Sequence, residues 1–128
     1  MRPRLYKDYS TTTLKLEHNT LRRFMRMLDG KSRNSYMVKK VVELREFFEN
    51  STQEEKMKLV LDLMPYASRR KIAGTDVEID KRKDCVVSLK CEKCDYEVVV
   101  REAGKLGLSF SEIMRRLIIR DIEATLKD

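Results

Sequence analysis

Thr11, Thr13 and Lys15 alternate with Thr12, Leu14 and Leu16 near the start of the chain, and Val86, Ser88 and Lys90 alternate with Val87, Leu89 and Cys91 far downstream. On an extended strand, side chains two apart share a face, so each run buries its apolar members and turns mostly hydroxyls and an ammonium outward. A hydroxyl donates or accepts at a base edge, and a lysine suits guanine acceptors or phosphate. The plainer use of the same residues is to keep an edge strand soluble. Paired as a two-stranded ribbon, the two runs have the width to enter a DNA major groove.

A second group of residues stands at helix starts. Arg33, Asn34 and Ser35, with Lys39 and Lys40 a turn later, follow the helix-breaking Asp29-Gly30-Lys31-Ser32, and Asn34 or Ser35 restarts a helix there. Unpaired N–H groups and the positive dipole end favour an anion such as phosphate at such a start. An ordinary capped helix with solvated lysines is the plain alternative. Ser109 and Ser111 hold the corresponding place downstream, where Ser109-Phe110-Ser111-Glu112 has capping-box spacing.

Cys91-Glu92-Lys93-Cys94, with Cys85 nearby and the lone His18, raises the question of zinc. A structural site takes four ligands, usually from two paired knuckles, and one such pair is present. Sharing across a dimer or recruiting His18 would complete a set built on Cys85, Cys91 and Cys94, but Cys91 falls on an inward strand position where a thiol packs as a small apolar group. We therefore expect no metal and no cofactor. The sequence displays no Ser/His/acid set and no phosphate-cradling glycine loop, which argues against an enzyme.

These residues need positioning elements, and the apolar spacing supplies them. After the first strand, Asn19 is placed to cap a helix that buries Leu21, Phe24, Met25 and Leu28 and leaves Arg22, Arg23 and Arg26 mostly wet. Met37, Val41, Leu44 and Phe48 stripe a second helix, wide enough to face a partner copy as well as the first helix. The downstream strand leads into a short helix striped by Tyr96, Val99, Ala103 and Leu106 and stopped by Gly107, then a longer one carrying Ile113, Met114, Leu117, Ile118 and Ile122. Between these units, Ser51-Thr52-Gln53-Glu54 opens a helix with Met57, Val60, Leu61 and Met64 inward and Pro65 at its end. Thr75 to Asp80 alternates as an extra short strand, and Arg69-Arg70-Lys71 and Lys81-Arg82-Lys83 are basic runs, most simply solvated.

The chain has 128 residues and a net charge of +7, which suits a polyanionic partner. Residues 1–50 hold 12 basic against 6 acidic residues, 51–84 hold 8 against 7, and 85–128 hold 8 against 8, so the excess lies in the first unit. No apolar run approaches the ~18 residues of a membrane span, and Met1-Arg2-Pro3-Arg4 is not followed by a signal-peptide core. Three cysteines, an odd number, suit a reducing compartment, so we expect a cytoplasmic protein, in the host's cytoplasm if the source is a virus.

Together these residues resemble the ribbon-helix-helix family of transcriptional regulators. The run from Gly107 to Arg116 is similar to that family's Gly-x-Ser-x-Ser-Glu entry into its second helix, and Asn34-Ser35-Tyr36-Met37 matches more loosely after a turn that reads one residue shorter. Two units in one chain also resemble the tandem regulators of this family from viruses that infect archaea. The expected fold is mainly α with a small antiparallel β ribbon, a β-α-α unit repeated with an inserted helix and an extra short strand. Its divisions are a basic arm over 1–10, a first unit over 11–49, a connector over 50–84 and a second unit over 85–128.

What the resemblance implies is a repressor or other regulator of double-stranded DNA, working as an intramolecular pseudo-dimer or a homodimer, with higher assembly on DNA open. Thr11, Thr13, Lys15, Val86, Ser88 and Lys90 would face the bases, and the helix starts at Asn34-Ser35 and Ser109 to Ser111 would hold phosphates, with Arg33 placed beside the first of them. Valine at one outward ribbon position and the neutral second unit imply that the first unit makes most contacts. The alternatives are a protein-interaction module such as an antitoxin, or a zinc-knuckle nucleic-acid protein.

Overall fold

The two alternating runs are strands, and they pair with each other within one chain. β1 (Tyr9–Leu16) and β2 (Cys85–Glu92) form an antiparallel two-stranded sheet in a computed structural model that describes residues 8–67 and 85–126. The register sets Thr11 opposite Lys90, Thr13 opposite Ser88 and Lys15 opposite Val86. Leu14, Leu16, Val87, Leu89 and Cys91 are buried beneath the sheet. β1 begins at Tyr9, two residues before the expected start.

The helices are α1 (His18–Leu28), α2 (Arg33–Asn50), α3 (Gln53–Leu63), α4 (Lys93–Lys105) and α5 (Phe110–Thr125), and the protein is mainly helical with this one small sheet among the described residues. Packing crosses between the halves. α2 lies against β2 and α4, and α5 lies against β1 and α1, so each long helix supports the strand that the other half supplies. The Met37, Val41, Leu44 and Phe48 stripe is buried as the spacing requires, as are Ile113, Met114, Leu117, Ile118 and Ile122. Arg45 bridges α2 to Asp95 of α4 at 2.5 Å, and Asp121 of α5 accepts from the Tyr36 hydroxyl and pairs with Lys40 at 2.7 Å. Burial, and then the Asp121 carboxylate, push the Tyr36 phenol far above its usual range.

Glycine matters at both turns between paired helices. Gly30 and Gly107 take φ of +86° and +84°, where a side chain would strain the backbone. The turns span 29–32 and 106–109, so they are equal in length, not one residue different; α4 is the longer helix, with 13 residues against 11 in α1.

Several local expectations are corrected. Asn19 does not cap α1: Glu17 is the only residue between strand and helix, its carbonyl accepts the first helical bond from Leu21 at 2.9 Å, and Asn19 already lies in the first turn. Met25 is exposed because Leu21, Phe24 and Leu28 fill the inward line and Met25 falls a quarter-turn past Phe24. Ser32 caps α2, accepting from the Ser35 N–H at 3.1 Å. In α3 the capping box is Thr52 with Glu55, one residue later than read. That box, with the Lys56 to Glu102 ion pair of 3.2 Å, sets the helix phase so that Leu59, Val60 and Leu63 turn inward. Met57, Leu61 and Met64, expected in the core, are left outside. The expected strand over Thr75 to Asp80, the basic runs Arg69-Arg70-Lys71 and Lys81-Arg82-Lys83, and residues 1–7 of the basic arm lie outside the described residues.

Candidate nucleic-acid interface

One surface gathers the polar residues singled out on the strands. Thr11, Thr13, Lys15, Ser88 and Lys90 are all exposed on the sheet face opposite the core, together with Tyr9 and Val86. The central pair is Thr13 and Ser88, and the two lysines stand diagonally about it. Lys90 is level with Thr11, four residues along β1 from Lys15, so their Cα atoms are roughly 14 Å apart. The Lys90 ammonium sits 5.2 Å above the Tyr9 ring, a cation–π contact that limits where its charge points. Tyr9 was not singled out from sequence, although the alternation of Thr11, Thr13 and Lys15 extends back to it.

The starts of α2 and α5 flank this face and are tied to it. The Asn34 carboxamide grips the Lys90 main chain twice, with Oδ1 accepting from the Lys90 N–H at 2.8 Å and Nδ2 donating to its carbonyl at 3.3 Å. Ser111 Oγ donates to the Thr13 carbonyl at 3.3 Å. Ser109 caps α5 by accepting from the Glu112 N–H at 3.1 Å, and Arg33 is the exposed first residue of α2. Asn34 and Ser111 thus position the strands, while Arg33, Lys39 and the free N–H groups of the first turns face outward.

Beside each helix start is an open cleft. The one at α5, of about 310 Å³, is lined by Thr13, Lys15, Ser109, Ser111, Glu112 and Arg115. Its counterpart at α2, of about 690 Å³, includes Tyr9, Ser35, Lys39 and Lys90 in its walls. Arg115 is 3% exposed, and its Nε and Nη2 have no hydrogen-bond partner among the described residues. Glu112 stands 3.7 Å from that Nε, beyond hydrogen-bond reach, and is drawn instead to Arg116 at 2.6 Å. The guanidinium therefore lies enclosed beside the cleft, in a long ion pair with Glu112 and with donors left over. Sequence reading missed it, although Ser111, Arg115, Ile118 and Ile122 share one helical face.

Cys85 is not brought to Cys91 and Cys94. Cys85 and Cys91 lie six residues apart on one strand, roughly 20 Å. Cys85 is beside His18, with Sγ 3.8 Å from Nδ1, at the end of the ribbon away from Cys94. Burial, then the nearby Asp95 carboxylate, push the Cys91 thiol up to about 11, so at neutral pH it is protonated and neither a ready metal ligand nor a nucleophile. Among the described residues no group of three or more His, Cys, Asp or Glu is arranged to hold a metal ion. No described helix is long and apolar enough to cross a membrane.

No protein-family model, no curated protein and no solved structure matches this chain.

Proposed function

We propose that this protein is a sequence-specific regulator that reads double-stranded DNA in the major groove with the outer face of the β1–β2 ribbon. The observation that carries the reading is the antiparallel pairing that puts Thr11, Thr13, Lys15, Ser88 and Lys90 on one solvent face. A ribbon of two strands is about as wide as the groove admits, and hydroxyls and ammonium groups match base-edge acceptors and donors. Lysines roughly 14 Å apart reach across about four base-pair steps. The cleft beneath Arg115 and the first turns of α2 and α5 would receive phosphates on either side.

A tandem pair of ribbon-helix-helix units in a pseudo-dimer accounts for the packing. Leu14, Leu16, Phe24, Leu28, Met37 and Val41 correspond in order to Leu89, Cys91, Val99, Ala103, Met114 and Ile118, and all twelve are buried. The correspondence is incomplete on the wet side: Lys15 and Lys39 are matched by Lys90 and Arg116, but Arg22 and Arg33 are answered by Glu97 and Phe110. Unequal contact by the two halves follows from that mismatch, with the more basic first half contributing more.

The test starts from a randomised duplex pool, enriched over rounds of binding to the full chain. Affinity for the enriched sequence is then measured at fixed salt for Lys15→Ala and Lys90→Ala, with helicity checked by circular dichroism. Loss of a base or phosphate contact should weaken binding roughly tenfold or more with the fold intact. A pool that yields no enriched sequence, or variants that bind as the parent does, would refute the proposal.

A further inference from the structure

The outer face of α3 is apolar in a place where nothing described covers it. Met57 and Leu61, with Met64 in the 3-10 turn that directly follows α3, recur at i, i+4 and i+7 and are 47%, 63% and 55% exposed. The opposite face is fully committed, with Leu59, Val60 and Leu63 packed inward and Lys56 paired to Glu102 of α4. α3 therefore has no freedom to roll and hide these three side chains. Next to them stand Lys58 and Asp62, both exposed and neither in an ion pair or hydrogen bond among the described residues. They are four apart on one helix, in the order Lys before Asp that makes the weaker internal pair.

We propose that this face binds the same face of a second copy of the chain, α3 against α3, antiparallel about a two-fold axis. The charge pattern selects that occupant. In an antiparallel symmetric pair, residues on one flank of a helix meet residues on the same flank of its partner, at positions mirrored about the axis. An axis passing between Val60 and Leu61 sets Met57 level with the partner's Met64 and leaves Leu61 and the partner's Leu61 one residue of rise, ~1.5 Å, apart across it. The same axis brings Lys58 and the partner's Asp62, and Asp62 and the partner's Lys58, to within one residue of rise, ~1.5 Å, of each other, inside the reach of a lysine side chain. Shape and charge are satisfied by a single register, and each contact occurs twice.

Three half-exposed side chains offer an apolar patch on the order of 300 Å² per copy, well short of the roughly 800 Å² per partner of a stable complex. Association is accordingly weak in free solution, at tens to hundreds of micromolar. If the DNA reading above is correct, two copies on one duplex would meet at a high effective concentration, and this contact would couple their binding.

The experiment uses the full chain without DNA, so that its result does not depend on the DNA reading. Sedimentation velocity from about 10 μM to 1 mM should show mass rising from one chain toward two. Leu61→Glu should abolish the rise. Lys58→Asp should weaken association about tenfold, through two lost ion pairs and two new repulsions, and Lys58→Asp with Asp62→Lys should restore it. In a mixed labelled and unlabelled sample, intermolecular proton contacts should join the Leu61 methyls of two copies. A chain that stays monomeric at 1 mM overturns the proposal, as does failure of the double exchange to rescue. So does occupation of the Leu61 face by residues 68–84 of the same chain or by a different protein in preference to a second copy.

Discussion

Replacing Arg115 by Met separates stability from binding, because the two should move in opposite directions. Arg115 is 3% exposed, Nε and Nη2 make no hydrogen bond, and Glu112, 3.7 Å from Nε, is held more closely by Arg116. A buried donor left unsatisfied costs about 1–3 kcal/mol, so a methionine of similar length should leave the free protein as stable or more stable. A gain of about 1 kcal/mol would raise Tm by roughly 4 °C in a chain of this size. Binding should suffer, since a guanidinium-to-phosphate contact is among the stronger charge-assisted hydrogen bonds, and losing ~1.5–3 kcal/mol weakens affinity about tenfold to a hundredfold. The slope of log affinity against log salt should also shrink by about 0.9, one phosphate contact fewer. Thermal melts by circular dichroism and fluorescence anisotropy at several salt concentrations measure both. If Arg115→Met lowers Tm by several degrees and leaves affinity and salt slope unchanged, Arg115 is a packing residue and the cleft is not a phosphate seat.

Asp121 links Tyr36 and Lys40 across the two long helices in a site where Lys40 and Asp121 are 19% and 23% exposed, so Asp121→Asn should cost about 2 kcal/mol and lower Tm by roughly 7 °C. Combined with Tyr36→Phe in a double-mutant cycle, the losses should be less than additive; full additivity would mean that the hydroxyl and carboxylate do not interact. Burial alone would raise the Glu102 pKa, but hydrogen bonds from Lys56, Lys105 and Arg101 outweigh it and hold the carboxylate below its usual range. A depressed acid stabilises the fold above its unfolded value of about 4.3 and loses that contribution as pH falls through the folded value, so Glu102→Gln should flatten the acid limb of a Tm-against-pH curve. Exposed Cys94 should react with a maleimide at pH 7 in the folded protein while Cys91 reacts only on unfolding, as peptide mass mapping would show; rapid folded-state labelling of Cys91 would contradict its burial.

The parts of this molecule that were legible in its sequence are those with a strict period. Leu14 and Leu16, or Val87, Leu89 and Cys91, can be buried together only on a strand of period two, and the stripe from Met37 to Phe48 only on a helix, so these faces followed from spacing. Helix phase at the margins did not follow. Met25 and Leu61 are apolar residues beside apolar residues, and whether each turns inward depends on which neighbour reaches the core first. For α3 the deciding contact is Lys56 with Glu102, two residues 46 positions apart that no local window joins. The site divides the same way. Outward strand residues were visible by alternation, whereas Asn34 gripping the Lys90 main chain and Arg115 enclosed beside a cleft without hydrogen bonds at Nε and Nη2 depend on which helix crosses beneath which strand.

That crossing has a consequence for how the ribbon is held. Neither strand has a second strand neighbour among the described residues, so the outer edge of each must be braced by something else. Asn34 from α2 braces β2, and Ser111 from α5 braces β1, each reaching from the half of the chain that does not supply the strand. The braces differ in strength: two hydrogen bonds from a carboxamide on one side, a single hydroxyl on the other. Removing Asn34 should therefore loosen the ribbon more than removing Ser111. Amide exchange at Lys90 reads this directly, because its N–H is the one that Asn34 Oδ1 accepts. In Asn34→Ala that amide should exchange faster by about tenfold, the equivalent of a hydrogen bond near 1.4 kcal/mol, while amides of β1 that face β2 change little. Equal acceleration along both strands would mean that the ribbon opens as one unit and that the helix starts do not brace it separately.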